Sequence, residues 1–100
     1  MEAQEILEGT AREVKLPKIM PPIYRLVEEK LGYWPLTLIE QKRTEKDSQG
    51  FDTPVSFRLI AQELTELTEV DVTSEAVRRW WTWREVAAIR GVALPGQPRT

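Results

Sequence analysis

The chain contains no cysteine and no histidine among its 100 residues. Without cysteine there is no disulfide framework and no thiolate ligand, and a reducing cytoplasm is compatible with that. Without histidine the usual near-neutral general base is missing, as is the imidazole of structural zinc sites. Glycine is scarce, at positions 9, 32, 50, 91 and 96, and none of the five belongs to a phosphate-cradling loop followed by Lys-Ser or Lys-Thr. Apolar runs extend only a few residues, so no segment reads as a bilayer span. The first residues, MEAQEILEG, lack the basic-then-apolar layout of a secretory signal. The expectation is a binding protein with no catalytic residues, no cofactor, no metal and no membrane association. Glu40-Gln41-Lys42 and Glu45-Lys46 faintly echo the carboxylate–lysine clusters of metal-dependent nucleases, but a solvated helix face explains them better.

What is present suits one small domain. An apolar share of 41% beside a charged share of 30% fits a globular protein rather than a disordered one. Net charge is −2, but its distribution is uneven. Residues 1–77 hold nine Lys/Arg against fifteen Asp/Glu, a balance of −6. Residues 78–100 hold five arginines against Glu85 alone, a balance of +4. Local field rather than total charge steers a polyanion to a surface.

Periodicity places four helices. Residues 1–17 are polar and glycine-interrupted and read as a mobile arm, with Ile6, Leu7, Val14 and Leu16 able to dock locally. Pro21 and Pro22 preset a first turn, Ile23, Leu26, Val27 and Leu31 follow at helical spacing, and Gly32 is a stop, giving a helix near 21–31. Pro35 restarts the chain for a second helix near 35–47, whose later turns are polar. Ser48 to Pro54 reads as a loop, with Thr53 as cap and Pro54 at the first position of a third helix near 54–68. Glu69 to Val72 breaks the pattern, Thr73 or Ser74 caps a fourth helix, and Gly91 ends it after Arg90. Residues 18–90 thus form the helical domain and 91–100, with two prolines, a flexible tail. The fold class is all-α: a small bundle of about four helices.

Residues 57–81, FRLIAQELTELTEVDVTSEAVRRWW, carry the functional signal. Two amphipathic helices flank a polar break, the layout of a helix-turn-helix with an extended turn. Ala61 is the small residue where the helices cross, Leu64 packs toward the turn and Val72 enters the core just before the cap. Val77 and Trp80 form the buried stripe of the second helix. Thr73, Ser74, Glu75, Arg78, Arg79 and Thr82 remain to face outward as DNA contacts. Arginine forks match guanine edges, hydroxyls bind phosphate, and Glu75 either accepts from cytosine or completes the cap. Trp80, Trp81 and Trp83 crowd into four residues, and Trp81 and Trp83 cannot both face one core. One of them should therefore be partly exposed, packing on the extended helix, on Trp34 or on a second subunit, and a homodimer through exposed tryptophans is the expectation.

These residues resemble the short helix-turn-helix proteins of bacteriophages and actinobacteria. Gly50, Ser56, Ile60, Ala61, Leu64, Thr68, Val70, Val72, Thr73, Val77, Arg78, Arg79 and Trp80 follow that pattern in order. The preceding LGYWPLTLIEQKR resembles the helix those proteins place before the motif, so about half of the chain is covered. Two departures stand out: Glu69 occupies the place of the usual turn glycine, and FDTPV is inserted between Gly50 and Ser56. The resemblance implies sequence-specific binding of double-stranded DNA in a bacterial cytoplasm, by a repressor, excision factor or other phage control protein. A helical protein–protein interaction module and the DNA-binding part of a small terminase subunit are the alternatives.

Overall fold

Prolines start the first two helices of the structure, a computed structural model that describes residues 14–98. Among the described residues four helices follow one another: α1 (Pro22–Leu31), α2 (Pro35–Arg43), α3 (Phe57–Thr68) and α4 (Ser74–Arg90). The fold is all-α, and among the described residues the sole β feature is an isolated antiparallel bridge between Lys46 and Asp52. None of these helices is long and apolar enough to cross a membrane.

α1 opens on Pro22, where the absent N–H of proline costs nothing, and closes on Gly32 at φ 83°, whose N–H bonds Glu28 O at 2.9 Å. α2 opens on Pro35 and buries Pro35, Leu36, Leu38 and Ile39. It stops at Arg43, four residues short of the expected end. Thr44 donates both its N–H and its hydroxyl to Glu40 O, and the chain then turns back on itself. Asp47 organises the reversal by accepting from the backbone N–H groups of Gln49 and Phe51, each at 2.9 Å. On the return, Thr53 N–H reaches Glu45 O and Val55 N–H reaches Lys42 O.

That return corrects the expected start of the third helix. The backbone of Thr53 and Val55 already serves the returning strand-like segment, and the Thr53 hydroxyl donates to Glu45 O. The helix therefore begins at Phe57, with Ser56 as the cap accepting from Leu59 N–H at 3.2 Å.

The α3–α4 turn is held by two threonines. The buried Thr68 hydroxyl donates to Leu64 O at 2.6 Å and accepts from Val70 N–H at 3.2 Å. The Thr65 hydroxyl accepts from Val72 N–H at 3.0 Å and donates to Val72 O at 3.3 Å. Between them Glu69 takes the left-handed conformation, φ 59°. Val70 and Val72 are driven into the core on either side of exposed Asp71. Thr73 caps α4, and Gly91 at φ 69° ends it.

At the centre of the core, Tyr24 meets Trp80 edge-on at 4.9 Å and Trp34 at 5.9 Å. Its hydroxyl accepts the Leu36 N–H of the first turn of α2 at 3.2 Å. Burial pushes the Tyr24 hydroxyl well above its ordinary pKa of 10.0, since a phenolate there would have to shed its water. Met20, from before α1, joins this core. So does Leu94, which is only 3% exposed although it lies in the stretch expected to be a flexible tail. Leu94 and Gln97 close a turn on each other through two 3.0 Å hydrogen bonds. Residues 1–13 of the expected arm, with Ile6 and Leu7, lie outside the described residues. Of its last part, Leu16 packs against the core, and Val14 O accepts from the Arg90 guanidinium at 2.6 Å.

Candidate nucleic-acid interface

Thr73 fixes where α4 begins. Its side chain accepts from Ala76 N–H at 3.1 Å, satisfying one orphan donor of the first turn, and Glu75 adds an acidic group at the positive end of the helix dipole. Val77 and Trp80 are then buried on the core side, at 0% and 2% exposure. With that stripe pinned, helical geometry turns residues 75, 78, 79 and 82 away from the core.

Those residues come together. Glu75, Arg78, Arg79 and Thr82 line one open groove of about 560 Å³, with Val14 and Trp83 completing its walls. Residues 75–83 cover roughly 12 Å of helix axis at 1.5 Å per residue, close to the width of a DNA major groove. Thr73 and half-buried Ser74, also expected as contacts, do not line this groove. They sit at the helix start, where the Thr73 oxygen accepts from the backbone. Thr82 donates its proton to Arg78 O at 2.9 Å, so its hydroxyl can offer an incoming group only lone pairs.

The cations of α2, α4 and the loop after α2 differ in their commitments. Arg84 is tied to Glu40 across the α2–α4 contact and lies 5.0 Å over Trp81. Lys42 pairs with Glu63 and Lys46 with Asp52. Arg78 and Arg79 make no ion pair among the described residues, and both are exposed. Arg78 instead places its guanidinium carbon 5.4 Å from the centre of the Phe57 ring. Arg43 lies 4.4 Å from the same centre and donates to Val55 O at 3.0 Å, while its buried Nε has no acceptor. Among the described residues, no group of three or more acidic side chains is gathered to hold a metal.

Known protein families, curated proteins and solved structures were compared with the chain, and none matches.

Three contributors escaped the sequence reading. Trp83 follows Arg79 by four residues and so shares its helix face, a spacing that could have placed it in the groove. Val14 and Phe57 come from distant parts of the chain, and no local pattern points to them. A partly exposed indole is expected at Trp81 or Trp83. Trp81 and Trp83 are both half-buried against the edge of the core, and no tryptophan is among the large apolar side chains left exposed. The exposed apolar groups include Ile19, Ile23 and Leu26 around α1.

Proposed function

We propose that the protein binds double-stranded DNA sequence-specifically and works by binding rather than catalysis, as a phage-type transcriptional or recombination regulator. α3 and α4 act as a helix-turn-helix, with α4 entering the major groove. One observation carries this reading: the outer face of a capped, core-anchored helix presents Arg78 and Arg79, neither paired with a carboxylate among the described residues. Unpaired guanidiniums on an otherwise acidic body are poised for an external anion, and a fork of donors can also read a guanine edge. Arg79, on the groove wall beside Trp83, is assigned the base contact. Glu75 tunes selectivity by accepting from cytosine or by repelling misplaced phosphate.

The test is selection of bound fragments from random DNA at a stated salt concentration, followed by titration of variants. Arg79→Ala should weaken binding to the selected site by about 1–3 kcal/mol and relax preference at one base position. Unchanged binding after removal of both arginines would sink the proposal.

A protein-docking role has one observation in its favour, the exposed Ile19, Ile23 and Leu26 around α1. Heparin retention separates the two readings. Phosphate binding releases counterions and weakens steeply with salt, whereas an apolar contact does not.

A further inference from the structure

We infer that Phe57 gathers Arg43 and Arg78 into a clamp for one backbone phosphate of the DNA, set beside the groove on α4. The inference rests on the DNA reading above and deepens it, because it assigns a positioning role to two residues, Phe57 and Arg43, that lie outside the groove.

Two guanidinium carbons sit 4.4 Å and 5.4 Å from one ring centre, and neither side chain meets a carboxylate among the described residues. Two carboxylates of α2 and α3 are engaged elsewhere: Glu63 holds Lys42, the neighbour of Arg43, and Glu40 holds Arg84, while Glu75 lines the groove with Arg78 without forming an ion pair among the described residues. Like charges brought to one ring repel, and the negative face of the ring offsets this only in part. An oxyanion reached by both guanidiniums would offset that repulsion. A phosphodiester fits best, since each guanidinium is a planar fork that matches its paired oxygens.

The clamp is also preorganised. Arg43 is fixed by its bond to Val55 O and by the ring, and Phe57 is itself packed against the core. Arg78 belongs to both places, lying on Phe57 and lining the groove with Arg79. A phosphate held at Phe57 would therefore set the register of α4 beside the bases that Arg79 reads. Backbone contacts position and base contacts specify, and here one arginine joins the two.

The experiment titrates the duplex site selected above with the full chain over 50–200 mM salt, for wild type, Phe57→Leu, Phe57→Trp, Arg78→Gln and Arg79→Ala. Leucine keeps apolar bulk at position 57 but has no π face, while tryptophan restores one. Loss of one phosphate contact reduces the slope of log K against log salt by about 0.9. Between 50 and 200 mM salt, Phe57→Leu should thus lose about 3–4-fold less affinity than wild type. Phe57→Trp should recover the wild-type slope, a quantity that reports phosphate contacts rather than packing. Arg78→Gln, at an exposed position, should reproduce the reduced slope even where Phe57→Leu folds poorly. Wild-type slopes in Phe57→Leu and Arg78→Gln, with binding still weakened by Arg79→Ala, would overturn the clamp and leave the DNA reading standing. No duplex binding by the wild type at 50 mM salt would overturn both, as would capture of an acidic peptide at Phe57 in preference to the duplex.

Discussion

Glu69 is the sole non-glycine residue with positive φ among those described. An L-residue in the left-handed region costs roughly 1–2 kcal/mol, because its Cβ crowds the backbone carbonyl. Thr65 and Thr68 hold the turn from both sides, so the strain is maintained by hydrogen bonds elsewhere in the turn. Glu69→Gly relieves the strain but loosens the unfolded chain, and the net gain should be up to about 1 kcal/mol. Thermal unfolding should then shift upward by a few degrees, about 4–8 °C at the upper limit. Tyr24 gives a second prediction at this scale. Its folded pKa is raised, so its contribution to stability is complete below the unfolded value of 10.0 and is lost as pH climbs above it. Urea unfolding measured from pH 9 to 11 should show stability falling, and the fall should be shallower in Tyr24→Phe. That variant also leaves Leu36 N–H buried without an acceptor, at a cost of about 1–3 kcal/mol at every pH.

At the scale of elements, α1 and α4 were legible because their signals are local. Pro22 and Gly32 bracket one, Thr73 and Gly91 the other, and each acts through its own backbone. The end of α2 and the start of α3 were not legible for the opposite reason. Thr53-Pro54 carries the local start signal, and what moves the start to Ser56 is the pairing of Thr53 and Val55 with Glu45 and Lys42, eight and thirteen residues away. Ser56→Ala should therefore cost about 1 kcal/mol in chemical denaturation, whereas Thr53→Ala at its exposed site should cost less than half of that. The candidate interface divides in the same way. Glu75, Arg78, Arg79 and Thr82 could be grouped from helical spacing alone, given that Val77 and Trp80 face inward. Phe57 and Arg43 enter only through packing between helices.

Across the whole molecule, both ends of the described chain return to the core. Leu16 and Met20 pack there from one side and Leu94 from the other, and Arg90 ties Val14 to the end of α4. The proline-rich composition of the last residues suggested a free tail, yet one leucine is enough to dock it. Composition reports the solubility of a segment, not whether a pocket awaits its single apolar side chain. Charge shows a comparable limit: the −2 total argues mildly against a polyanion, and the unpaired pair on α4 argues for one. Short-range contacts decide at the surface, because solvent and salt screen the distant carboxylates within about 10 Å.

The placement of the indoles has an optical consequence. Trp34 and Trp80 are buried beside Tyr24, whereas Trp83 stands on the wall of the groove. Intrinsic fluorescence should contain a blue, shielded part and a part open to whatever enters that groove. Adding duplex DNA should quench the second and spare the first, and Trp83→Phe should erase the response without altering affinity more than a few-fold. The protein would then report its own occupancy, label-free, from one tryptophan among four.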